Sequence, residues 1–173
     1  MVRIILLMIM SATVSAQSTI DFKSERVQRS ADFIVNATVE KSFPLFGPLL
    51  EMEWAAGWEP RVIYLEQKYV EEHMIFKTKS QYGEDYLWAV TQYDPVKYFI
   101  EYTVTASERI WFIRVICKSY EDKTKVSVTY SYTGLSEKGN QQNREALARM
   151  FENELKDWEK AINYYLETGK QLR

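Results

Sequence analysis

The sequence predicts an α+β domain: an antiparallel sheet of about seven strands wrapped around a long C-terminal helix, with two short helices after the first strand. Three observations lead there. From Arg61 to Leu135 the chain runs through β-branched and aromatic stretches broken by turn signals about every 12 residues, which leaves no room for crossover helices. From Asn140 to Glu167 the apolar residues change to helical spacing. Between the first strand and the meander, Phe43, Phe46, Leu50 and Trp54 also recur at helical steps.

The elements follow in order. Met1-Val2-Arg3 is a positive start, Ile4 to Met10 is apolar, and Val14 and Ala16 are small or short residues before Gln17. This order predicts a secretory signal over residues 1–16, cleaved after Ala16, and a secreted or periplasmic protein whose single domain spans 17–173. The apolar run is shorter than the ~20 residues a bilayer needs, so no stable membrane insertion is expected. Ser18 to Arg29 is polar without a period, and Ala31 to Thr38 reads as the first strand. Gly47-Pro48 divides the helical stretch Glu40 to Trp54 into two short helices, because proline suits a first turn and not a helix interior. Gly57 and Pro60 end the second one.

Turn signals then fall at Gln81-Tyr82-Gly83-Glu84, Asp94-Pro95, Ser107-Glu108 and Glu121-Asp122-Lys123. A two-residue turn at Ser107-Glu108 pairs Val104 with Trp111, Tyr102 with Ile113 and Ile100 with Val115 on one face, and Glu101 with Arg114 on the other. A four-residue loop from Glu121 to Thr124 pairs Cys117 with Val128, Val115 with Tyr130 and Ile113 with Tyr132, again on the apolar face. That face points inward. Asn140 is the expected N-cap of the last helix, Gly169 its left-handed end, and Leu147, Met150, Phe151, Leu155, Trp158, Ile162 and Tyr165 its apolar stripe.

Composition narrows the chemistry. Lys and Arg number 22 against 24 Asp and Glu, for a net charge of -2, so no nucleic-acid partner is expected. His73 and Cys117 are the only residues of their types. A zinc site of Cys and His, a Ser-His-Asp triad with a spare base and a disulfide framework all lack parts, and no metal or cofactor is expected. Strand alternation puts His73 outward, Glu51 and Glu53 point to different sides of a helix, and Glu101 with Arg114 forms a surface ion pair. What is abundant is aromatic: 12 Tyr, 8 Phe and 5 Trp.

Two motifs carry a family resemblance. Phe43-Pro44-Leu45-Phe46-Gly47-Pro48 with Glu53-Trp54-Ala55-Ala56-Gly57-Trp58-Glu59-Pro60 is similar to FPLFxP and WxxGWxP segments of small bacterial proteins of the START-like, or SRPBCC, superfamily. Tyr130-Ser131-Tyr132-Thr133-Gly134-Leu135-Ser136-Glu137-Lys138-Gly139-Asn140 resembles the YxYTGLSxxGN segment that leads into their last helix. The element order is also theirs, and the resemblance covers roughly Ser24 to Gly169. It implies a helix-grip fold with a cavity between sheet and final helix, in a superfamily that includes polyketide cyclases, lipid carriers, hormone receptors and heat-shock ATPase activators. The candidate wall on the sheet is Ile100, Tyr102 and Val104, then Trp111, Ile113 and Val115, then Val128, Tyr130 and Tyr132. Met150 and Phe151 stand on the helix side, and Trp54 and Trp58 are candidates for a lid. The expected partner is a small hydrophobic molecule, a lipid or an aromatic compound, held without covalent chemistry. Two alternatives stand beside this. One is a cyclase- or aromatase-like enzyme in which a Tyr or Glu moves protons, and the other is a packed domain that acts on a protein through its outer surface.

Overall fold

The computed structural model describes residues 22–80 and 83–172; the secretory signal expected over residues 1–16 lies outside them. Seven antiparallel strands form one sheet in the order β1-β7-β6-β5-β4-β3-β2. They are β1 (Arg26–Val35), β2 (Arg61–Tyr64), β3 (Ile75–Lys79), β4 (Asp85–Asp94), β5 (Phe99–Thr105), β6 (Arg109–Tyr120) and β7 (Lys123–Gly134). The first strand thus begins five residues before the sequence reading placed it and stops at Val35, short of Thr38. Its early half is missed by pattern because Arg26, Gln28, Arg29 and Ser30 are all exposed.

The hairpin from β5 to β6 has the expected register, with Val104 opposite Trp111, Tyr102 opposite Ile113 and Ile100 opposite Val115. The next hairpin does not. The turn is the two residues Glu121-Asp122, so Cys117 pairs with Val126, Val115 with Val128, Ile113 with Tyr130 and Trp111 with Tyr132. Glu121 makes so short a turn possible by adopting a positive φ of 56°. The slip from the expected register is two residues, an even number, so the same side chains still face inward. Phe33, Val126, Val115, Ile100 and Val90 are among those buried on that face.

Between β1 and β2 the helical stretch is tighter than expected. It holds one short helix, α1 (Val39–Ser42), and 3-10 turns at Phe43–Phe46 and Glu51–Glu53 on either side of Gly47-Pro48. Phe43, Leu45 and Phe46 are buried, with Phe46 packed on Phe33 of β1 and Phe43 on Tyr93 of β4.

The long C-terminal helix is jointed. Helix α2 (Glu137–Met150) stops, Phe151 to Leu155 form a turn, and α3 (Lys156–Thr168) continues. Glu154 and Leu155 have φ of 54° and 59°, a left-handed conformation that no continuous helix accommodates. Phe151 and Leu155 are both fully buried, so the joint turns two apolar side chains into the core. The start also differs from expectation. Ser136 is the N-cap, its hydroxyl accepting the Gly139 N–H at 3.1 Å, while Asn140 lies inside the helix. The Asn140 amide instead holds the segment before β1, accepting from Glu25 N–H at 2.9 Å and donating to the Lys23 carbonyl at 3.0 Å. Gly169 ends α3 as expected, with φ of 67° and its N–H donating to Tyr165. Helix α3 fastens the free edge of β1: Asn163 accepts from Asn36 N–H at 2.7 Å and donates to the Ile34 carbonyl at 3.0 Å.

Candidate functional site

The core is not filled. Between the sheet, the 3-10 turns and the C-terminal helices lies a cavity of about 610 Å³. Rings dominate its wall and touch one another in sequence. Tyr130 stacks on Tyr132 with centroids 5.9 Å apart, Tyr132 on Trp111 at 5.4 Å, and Trp111 meets the edge of Trp88 at 6.4 Å. Trp58 meets Trp88 edge-on at 5.2 Å. Strand alternation produces this belt, since Tyr132 and Trp111 are directly opposed in the β6–β7 ladder and Tyr130 precedes Tyr132 by one inward position.

Of the residues singled out by sequence, Trp58, Tyr102, Trp111, Ile113, Val115, Tyr130, Tyr132 and Met150 line this cavity. Ile100, Val104, Val128 and Phe151 are buried in the surrounding core instead. Trp54 is also core: it is 2% exposed, packs on Phe46 and Trp158, and donates its indole N–H to the Leu45 carbonyl at 2.7 Å. Trp58 is half-buried at the wall, its N–H tied to the Pro48 carbonyl at 2.8 Å. Both indoles are therefore pinned to the FPLFGP segment. Tyr102 does the same from the sheet, donating to the Phe46 carbonyl at 2.6 Å.

Sequence reasoning missed several wall residues. Trp88 joins the ring belt from β4, with its N–H donated to Thr78 at 2.9 Å. Glu51, set aside with Glu53 on helical spacing, lines the cavity while Glu53 is exposed. Glu51 opens a 3-10 turn, whose three-residue repeat overrides the α-helical geometry assumed for the stretch. Loss of hydration pushes its carboxyl up to about 8, so it is neutral at pH 7. Tyr102 and Tyr130 titrate well above the ordinary phenol range, mainly because they are buried, with Glu51 adding to the effect on each. A carboxylic acid and two phenols thus share one region of an apolar space.

The opposite region is cationic. Arg109 lines the cavity with its guanidinium carbon 5.0 Å from the Trp111 ring centre and 5.7 Å from those of Tyr86 and Tyr132. It donates to the Tyr86 hydroxyl at 2.9 Å. Arg149 of α2 and Lys79 of β3 complete the basic part of the wall.

The remaining candidates fall elsewhere. His73 is exposed, but in a turn with a φ of 71° ahead of β3 and not by strand alternation, while Met74 and Phe76 are buried. Cys117 is a buried free thiol, pushed up to about 12 by burial. Glu101 corrects the expected surface ion pair: it faces away from the cavity toward Arg114, but it is only 6% exposed and also accepts from Thr91 at 3.2 Å. A bulge in β4 at Val90/Gln92 brings Thr91 over it. Among the described residues no group of three His, Cys, Asp or Glu side chains is placed to hold a metal ion, and no helix is long and apolar enough to cross a membrane.

No protein-family model matches the sequence, and neither does any curated protein. Solved structures do match in shape. Norcoclaurine synthase from Thalictrum flavum, in complex with dopamine and hydroxybenzaldehyde, superposes with a TM-score of 0.57 at 12% identity over 97% of this chain and 99% of that one. Ara h 8.0201 matches with a TM-score of 0.57 at 13% identity, over 83% of this chain and 99% of that one. An uncharacterised protein from Rhizobium leguminosarum gives 0.53 at 11% identity over 84% and 97%. The resemblance read from the two motifs therefore holds at the level of architecture: the chain has the START-like helix-grip fold.

Proposed function

We propose that the protein binds a small apolar molecule, ring-bearing in preference to a plain lipid, between its sheet and C-terminal helices. The observation that carries this reading is the cavity itself. Its volume of about 610 Å³ lies within the range of small-molecule sites, and a belt of touching aromatic rings lines it. A packed core leaves few voids larger than a water molecule, so a space of this size counts against the alternative of a filled domain acting only through its surface. Norcoclaurine synthase, of like fold, was solved with two small aromatic compounds bound. Native mass spectrometry of protein purified from its own host tests the reading: a reproducible small apolar adduct is expected. Repeated failure to retain any adduct or lipophilic probe sinks it.

The order of charge, apolar run and small residues at the N-terminus supports export. The same mass measurement then gives a mature chain beginning at Gln17 and not at Met1. A second, enzymatic reading is favoured by one observation, the neutral Glu51 carboxyl beside Tyr102 and Tyr130, a set of groups suited to giving and taking protons on a bound substrate. On that reading Glu51→Gln abolishes conversion of the host-derived ligand while leaving its retention intact.

A further inference from the structure

We infer that the cavity selects an organic anion, a ring-bearing carboxylate or sulfonate whose charged group sits against Arg109. This inference rests on the binding role proposed above and specifies its ligand class. The first support is the state of Arg109 itself. It is half-buried at the cavity wall, and among the described residues no carboxylate lies within the 4.0 Å of an ion pair. The nearby Glu84 carboxylate is engaged by the Ser107 N–H at 3.1 Å and hydroxyl at 2.7 Å. A guanidinium has five N–H donors in a planar fork. Here one nitrogen donates to Tyr86, and the rings of Trp111, Tyr86 and Tyr132 hold the plane in place. A cation prepared in this way meets a bound anion with little loss of side-chain freedom.

The second support is the charge of the wall. Its cationic residues are Arg109, Arg149 and Lys79, the last already paired with Asp85 at 2.5 Å, and its acids are Glu51 and Glu59. The Tyr132 phenol feels both guanidiniums, which places Arg149 at the same end of the cavity as Arg109. The third support is distance. Arg109 and Ile113 are four residues apart on β6, about 13 Å between their backbones, and the guanidinium reaches back over Trp111 toward the row where Tyr102 and Tyr130 flank Ile113. Trp111 lies between. A ring-bearing ligand can therefore lie along the aromatic belt with its charge at the Arg109 end.

Two fluorescent probes of nearly identical shape test the inference: N-phenyl-1-naphthylamine, which is uncharged, and 8-anilinonaphthalene-1-sulfonate, which adds one sulfonate. The two are expected to compete for a single site on the full mature chain, with the sulfonate bound at least about tenfold more tightly. Arg109→Gln is expected to erase that preference, read as the ratio of the two affinities so that any change common to both probes cancels. Should that variant not fold, Arg149→Gln, on an exposed turn of α2, reads the same preference and lowers it by about threefold. Competitive binding without a preference for the anion, or a preference that survives the substitutions, overturns the inference and leaves the cavity reading standing. Failure of both probes to bind overturns the inference and the cavity reading together.

Discussion

Replacing Glu51 by glutamine removes the ionisable proton and keeps the shape, so it isolates what one buried carboxyl does to stability. In the folded protein this group titrates at about 8 in place of its ordinary 4.5, with burial as the cause. Between those two values the native state holds a proton that the unfolded chain releases. The stabilisation is therefore complete below pH 4.5, is lost as pH rises toward 8, and is absent above it. At about 1.4 kcal/mol per tenfold change in proton affinity, this bounds the effect near ~5 kcal/mol. The carboxyl faces a cavity that water can enter, so a measured loss of about 2 kcal/mol or more is the expectation. Carboxylates held low by their partners, such as Asp32, Glu84 and Asp85, work in the other direction and below this window. They occur in both proteins and cancel in the difference. The assay is guanidinium unfolding of wild type and Glu51→Gln at several pH values between about 5 and 9, followed by tryptophan fluorescence and circular dichroism. The stability of wild type relative to the variant should fall across that window. A difference that stays constant with pH refutes the assignment of Glu51 as a buried neutral acid.

Other substitutions separate structural groups from cavity groups. Tyr102→Phe strands the Phe46 carbonyl and is expected to destabilise by about 1–3 kcal/mol, measured by denaturant titration. Tyr132→Phe, whose hydroxyl has no hydrogen-bond partner among the described residues, should leave stability within about 0.5 kcal/mol in the same titration. Gly139→Ala would put a methyl group 1.8 Å from the Glu108 carbonyl oxygen, so α2 must shift at its first turn. A loss of about 3 kcal/mol or more, read as a lowered midpoint of thermal unfolding, is the expected outcome.

The sheet was largely legible because inward and outward positions differ so sharply in polarity. Val104, Trp111, Ile113, Tyr130 and Tyr132 all lie on the expected face, and even the misjudged Glu121 loop kept its parity. What sequence could not reveal was any feature in which backbone conformation departs from the residue type. Glu121, Glu154 and Leu155 adopt positive φ without being glycine: the first makes an expected turn shorter than the residue types suggest, and the other two break a helix where pattern alone predicts continuation. The joint in the last helix is hidden further, because Leu147, Phe151, Leu155 and Ile162 are buried on either side of it and satisfy one unbroken stripe. Half of the candidate site was legible for the same reason: the sheet residues follow from alternation. Glu51, Trp88 and Arg109 did not, since they depend on a 3-10 turn, a strand outside the two hairpins whose pairing turn length defines, and the end of a strand. The motif from Gly134 to Asn140 turns out to be a splice between the sheet and α2, in which Asn140 and Ser136 bind backbone, Gly134 makes room for Asn140 and Gly139 makes room for the Glu108 carbonyl.

The turn between α2 and α3 also bears on how the protein tolerates change. Along one uninterrupted helix an inserted residue rotates everything after it by about 100°, and the error reaches the far end undiminished. Here the rotation stops at Phe151–Leu155, because the phase of α3 is set by its own bonds to Ile34 and Asn36. The cavity wall contributed by Ala146, Arg149 and Met150 can thus be lengthened, shortened or turned while the seam along β1 keeps its register.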